Sequence, residues 1–158
     1  MSLGTRDERH LGRAIELACR SRQNGNHPFG SLLVAPDGAV VLESENTVLT
    51  ERDWTGHAEL NLVRAAGARL RPGELRRHTL YASTEPCAMC TAAAYWAGVG
   101  RIVYALGAET LRKLVPDDDG SATLALSCRE VLARGRRKVE VSGPHLEREA
   151  SAVHDGYW

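Results

Sequence analysis

The 158-residue sequence predicts an α/β layered sheet with helices on both faces. Helix-period and strand-period segments alternate along it, and alternation of that kind lays a sheet between helices. Hydrophobic residues make up 43% of the chain, enough for a substantial core at the usual size of one domain. No internal repeat, low-complexity tract or interdomain linker interrupts the pattern, so residues 1–158 are expected to form a single domain.

Leu11, Ala14, Ile15 and Ala18 recur at helical spacing and predict a first helix from Asp7 to about Gln23. Asn24, Gly25, Asn26 and Pro28 break it. Ser31 to Ala35 reads as a short buried strand, Pro36-Asp37-Gly38 as a turn, and Ala39 to Glu45 as the second strand of a hairpin. Thr47 to Gly56 is a polar connection, and His57 to Leu70 is helical until Arg71, Pro72 and Gly73 end it. Thr79 to Ser83 has strand character, and Pro86 sits where a proline commonly begins a helix, here Cys87 to Ala97. Arg101 to Leu106 is a fourth strand, Pro116 to Gly120 a loop, and Ser127 to Ala133 a helix. Val139 to Val141 is a last short strand and His145 to about His154 a closing helix.

Twenty Lys and Arg balance twenty Asp and Glu, so no overall field draws the molecule to nucleic acid or an acidic membrane. That favours a small neutral substrate. The start MSLGTRDERH has no apolar signal region and no apolar run is long enough for a membrane span, so no membrane partner is expected. Of the four cysteines only Cys87 and Cys90 are closely spaced, which is not a disulfide framework. A reducing cytoplasm is the expected location, where thiolates stay available to a metal.

The chemistry concentrates in His57-Ala58-Glu59, opening one helix, and Pro86-Cys87-Ala88-Met89-Cys90, opening the next. Cysteines at i and i+3 share one helical face, and the positive end of the helix favours their thiolates. With His57 they make three ligands for tetrahedral Zn2+, leaving one position for water as in a catalytic site. Such a water ionises near neutral pH. Glu59, two residues from the histidine, cannot easily ligate the same ion but can reach that water and carry its proton. Two other readings stay open: Cys19 or Cys128 supplies a fourth ligand to a closed structural site, or the CxxC is redox-active without metal.

HxE with PCxxC is the signature of zinc nucleobase deaminases, and the chain resembles the cytidine deaminase-like superfamily. The resemblance runs from about Ala14 to Leu106, through HPFG (His27 to Gly30), Asn46, HAEL (His57 to Leu60) and STEPCAMCTAAAYWAGVGRIVYA (Ser83 to Ala105). It implies a three-layer α/β/α sandwich with a mixed five-stranded sheet, and hydrolytic removal of an exocyclic ring amine as ammonia. Glu59 would move the protons, while His57, Cys87 and Cys90 hold zinc. TEPCAMC is similar to guanine deaminases and tRNA adenosine deaminases rather than free cytidine deaminases, and Pro28-Phe29-Gly30 with Tyr95-Trp96-Ala97 leans toward the guanine side. The resemblance further implies that Asn46 hydrogen-bonds the base, that the Ala58 amide contacts the ring, and that the protein is a homodimer.

Phe29 reads either as pocket lining or as core, and Trp54 either stacks on a flat ring or covers a helix start. Trp158, in the ending His154-Asp155-Gly156-Tyr157-Trp158, either caps a site, its own or a partner's, or is a docked end. Asp117, Asp118 and Asp119 read as a solvated loop or as carboxylates facing the NH edge of guanine or a triazine. The expected substrate is a small nucleobase or nucleoside, guanine-like first, with water as co-substrate. A tRNA adenosine or cytosine substrate is the alternative, and Arg134, Arg136, Arg137 and Lys138 form the dense basic cluster that RNA would need. A catalytically silent zinc-binding module is a third reading, in which replacing Glu59 would change no turnover.

Overall fold

The computed structural model describes residues 3–116 and 124–158. A five-stranded sheet has the order β2-β1-β3-β4-β5. Its strands are β1 (Gly30–Val34), β2 (Val40–Glu45), β3 (Thr79–Thr84), β4 (Arg101–Leu106) and β5 (Glu140–Ser142). β1 pairs antiparallel with β2 and β3, whereas β3–β4 and β4–β5 are parallel, so the sheet is mixed. The three central strands are buried along nearly their whole length, which is why they read as apolar runs rather than alternating ones.

Alternate residues of the central strands feed two cores. Leu32, Val34, Tyr81 and Val103 pack with Leu11, Ala14 and Leu17 of α1 (Thr5–Gln23). Leu33, Leu80, Ala82 and Ile102 face α3 (Ala58–Gly67), α4 (Ala88–Ala97) and α6 (Cys128–Ala133) through Leu62, Ala94 and Leu132. α7 (Glu147–Ala152) adds Ala150 to the α1 side. Helices therefore cover both faces, the expected three-layer arrangement. Gly30 explains how closely α1 lies on β1: a Cβ there would stand 2.5 Å from the Leu17 Cβ and 2.6 Å from the Ala18 nitrogen.

One connection departs from the sequence expectation, and two further elements lie where none was assigned. The connection 47–56 contains a helical turn, α2 (Val48–Glu51), because two asparagines satisfy its first amides. Asn46 Oδ1 accepts from Val48 at 3.0 Å, and Asn26 Oδ1 from Leu49 and Thr50 at 3.1 and 3.0 Å. A 3₁₀ turn occupies Glu74–Arg77, a stretch to which the sequence assigned no element. Helix α5 (Ala108–Leu114) follows β4, with Leu111 and Leu114 one turn apart against the sheet and Glu109 paired with Lys113. Pro86 lies one position ahead of the α4 cap rather than inside the helix. Ser127 starts α6 with a capping box to Glu130. Among the described residues no helix is long and apolar enough to cross a membrane.

Candidate active site

β3 and β4 run parallel, and α3 and α4 begin near the same end of the sheet. His57 and Cys87 are the N-cap residues of these two helices, both with extended backbone and no side-chain cap bond. Asn61, one turn inside α3, pins the approach to His57 by donating to the Glu45 carbonyl, Thr47 Oγ1 and the Gly56 carbonyl. On α4, Thr91 Oγ1 donates to the Pro86 carbonyl at 3.0 Å and the Thr91 amide to the Cys87 carbonyl at 2.8 Å. Each ligand-bearing turn is thus tied to its own helix.

The ligand atoms of His57, Cys87 and Cys90 lie within 4.8 Å of one another. Cys87 Sγ stands 3.6 Å from His57 Nδ1. Zinc bonds of about 2.3 Å to sulfur and about 2.0 Å to nitrogen at a tetrahedral angle require an edge of about 3.5 Å, so the site fits zinc. Among the described residues neither Cys19 nor Cys128 joins the group. Cys128 is buried at the start of α6, where its amide donates to Glu85. The Cys90 thiol hydrogen bond, then His57, hold the Cys87 thiol down to about 4. The same bond, with burial, pushes Cys90 up. Zinc takes both cysteines as thiolates, so ligation displaces the proton that the pair shares.

Glu59 is 6% exposed. Burial, then the Cys87 thiolate, push its carboxyl up to about 7. A carboxyl that changes protonation near neutral pH, beside three converging metal donors, suits general acid–base work.

These groups open on a cavity of about 480 Å³. His57, Cys87, Glu59, Thr84 and Glu85 supply its polar lining. Phe29, Leu49, Trp54, Leu111, Val115 and Trp158 supply apolar walls. Phe29 therefore lines the cavity, backed edge-on by His154 with ring centroids 5.5 Å apart. Trp54 sits at the rim, 86% exposed. Trp158 folds over its own chain's cavity, stacked on His27 and His154. Ala58 is fully buried as the first residue of α3, where its amide has no helical partner. Asn46 is buried and is not among the residues that line the cavity, and its Oδ1 accepts from the Val48 amide. Asp117, Asp118 and Asp119 lie outside the described residues.

Several site residues had no assigned role in the sequence. Glu85, inside the STEPC run, accepts from the first amides of two helices: Ala108 at 3.1 Å and Cys128 at 2.9 Å. Thr84 Oγ1 is buried in the cavity wall with no hydrogen-bond partner among the described residues. His27 also lines the cavity, and burial lowers its pKa, with the His57 charge adding to the effect. The motif HPFG contained His27, but nothing local announces that a residue 130 positions later would meet it.

Residues 4–106 match the cytidine and deoxycytidylate deaminase zinc-binding region. The chain belongs to this family. It is a zinc-dependent deaminase, with the fold that the resemblance implied. It is 36% identical over 156 residues to a probable cytosine deaminase of Schizosaccharomyces pombe, covering 99% of this chain and 94% of that protein. It is 42% identical over 99 residues to a guanine deaminase of Bacillus subtilis, covering 62% of this chain and 63% of that one. The structure of a guanine deaminase from Nitrosomonas europaea superposes with a TM-score of 0.78 over 99% of this chain and 86% of that chain, at 23% identity, a likeness of fold.

Proposed function

We propose that this deaminase removes the exocyclic amine from a free aminated heterocyclic base, guanine-like, using water and releasing ammonia. The cavity carries the reading: the aromatic side chains of Phe29, Trp54 and Trp158 line the same cavity as His57, Cys87 and Glu59, a setting for one flat ring. His57, Cys87 and Cys90 would hold zinc. Bound there, zinc supplies Lewis acidity that makes water a nucleophile near neutral pH. Glu59 takes a proton from water and passes it to the ring nitrogen as the C–O bond forms, then takes the proton of the added hydroxyl and passes it to the amine as the C–N bond breaks, a shuttle that its raised pKa favours. The Ala58 amide, free at the helix start, donates to the ring. Asn46, fastened through Oδ1, keeps its Nδ2 for the base, since Nδ2 pairs with no protein group among the described residues.

The guanine reading draws on TEPCAMC and on the 42% identity to the Bacillus subtilis enzyme. Cytosine is the second reading. The Schizosaccharomyces pombe relative aligns over 99% of this chain, a span that takes in the residues after α5 that wall the cavity. A tRNA substrate is less well supported. Arg137 is consumed in holding the Tyr95 and Val99 carbonyls, and its basic neighbours Arg136 and Lys138 gather at the far end of α4 from Cys87. Homodimerisation is proposed through the outer face of α4, where Met89 and Trp96 are exposed one face apart by two turns.

The test measures ammonia from zinc-loaded protein with guanine, adenine, cytosine, their nucleosides, triazines and tRNA. Release from free bases, guanine foremost, is expected. Release from tRNA alone overturns the proposal.

A further inference from the structure

His27 is held more firmly than a passive wall requires. Its Nδ1 shares a hydrogen bond of 2.8 Å with the Tyr157 hydroxyl. Trp158 stacks on the ring at 5.5 Å and 20°, and Tyr157 meets it edge-on at 5.8 Å and 81°. The segment bearing both aromatics is itself fastened. Arg22 donates to the Val153 and Asp155 carbonyls, both at 2.8 Å, and lies over the Tyr157 ring. Trp158 Nε1 donates to His154 Nδ1 at 3.1 Å. The imidazole therefore cannot turn without displacing two aromatic side chains.

A histidine with Nδ1 occupied offers one nitrogen more. No protein group pairs with His27 Nε2 among the described residues, and the residue lines the cavity that holds Glu59. When a tyrosine hydroxyl donates to Nδ1 of a neutral imidazole, the ring proton resides on Nε2. The cavity then carries a donor of fixed direction outside the zinc group. A fixed donor discriminates between ring edges because a ligand that lacks the matching acceptor leaves it unpaired.

We propose that His27 is a specificity-determining substrate contact whose Nε2–H donates to an acceptor on the ring edge, a carbonyl oxygen or an unprotonated ring nitrogen, and that Tyr157 is the positioning residue that fixes its tautomer. The inference rests on the free-base reading. It assigns the last residues of the chain to substrate choice rather than to simple closure of the cavity.

The test uses zinc-loaded Glu59→Ala protein, which binds without turning over, titrated calorimetrically with guanine and with cytosine. His27→Ala in that background is expected to weaken the base that binds by about tenfold, the value of one well-placed hydrogen bond. His27→Asn, which keeps a donor, should restore part of the loss. Tyr157→Phe, which retains the aromatic contact, should weaken binding about threefold with zinc content and melting temperature unchanged. In the active protein the same substitutions should raise KM and leave kcat within about threefold, whereas a merely structural wall would move both. Base binding that is unchanged in His27→Ala and Tyr157→Phe overturns the inference alone. If neither base binds the Glu59→Ala parent, the free-base reading falls and the inference with it.

Discussion

Among the described residues two carboxylates, Glu59 and Glu85, line the cavity, and their surroundings differ. Glu85 spends its oxygens on the first amides of α5 and α6. Glu59 is buried beside the ligand group with its pKa raised to about 7. Exchanging each for glutamine should therefore give opposite fingerprints. Glu85→Gln keeps one acceptor and turns an NH2 against the other amide. With charge-assisted bonds contributing about 1.5–3 kcal/mol each, the net cost is about 2–4 kcal/mol. At roughly 2–4 °C per kcal/mol for a chain of this size, melting of the zinc-loaded protein should fall on the order of 10 °C. Turnover per folded molecule should stay within about tenfold, because Glu85 moves no proton in the reaction. Glu59→Gln should instead lose about 10²–10⁴-fold in kcat, the usual worth of general acid–base catalysis. Its zinc content and melting temperature should hold, since glutamine fills the same space without a buried ionisable group. Ammonia release, metal analysis and thermal unfolding on the same preparations read all three quantities. Should Glu59→Gln keep its turnover within tenfold, or Glu85→Gln abolish turnover at an unchanged melting temperature, this division of duties is wrong.

Cys87→Ala should lose zinc and destabilise the fold, measured by metal analysis and unfolding, and a chelator should destabilise the parent while leaving the variant unaffected. Thr84→Val removes a buried hydroxyl that no described residue pairs, so stability should be unchanged or higher; if KM rises as well, the hydroxyl meets the substrate, which kinetics on the accepted base will read. Arg101 donates to both oxygens of Asp7, and that hydrogen bonding holds the Asp7 carboxyl down to about 2. Because the folded value is lowered, the stabilisation is complete above about pH 4 and is lost as pH falls from about 4 to 2. Both groups are partly exposed, so screening leaves about 1–2 kcal/mol, and urea unfolding of Asp7→Asn should show a loss of that size at pH 6 that vanishes near pH 2.

The order of elements was legible because the central strands are continuous apolar runs and α1 carries a clear helical stripe. β4 matched its expected bounds, Arg101 to Leu106, the other strands shifted by one residue, and α3 ends at Gly67, three residues short of the expected Leu70. α2 was not legible, since its helical turn depends on Asn26, over twenty residues away, satisfying the amides of Leu49 and Thr50. Glu85 was visible as a letter in TEPC, but its duty depends on α5 and α6 arriving beside it. The expectation that Phe29 and Trp54 flank a site could be stated only as an alternative to plain packing, because an aromatic side chain reads the same in either place.

What the sequence determined by itself was the local chemistry. Two ligands three residues apart share a helical face in any fold that forms the helix, and a carboxylate two residues from a histidine accompanies it wherever it goes. Tertiary structure decided what surrounds that chemistry. His27, Leu49, Leu111 and Trp158 come from four separate elements and loops, and they converge only because α1, α5 and the last residues pack around one end of the sheet. Contacts separated by 130 residues are set by the burial of shared apolar surface, a property of the folded whole that no local spacing encodes.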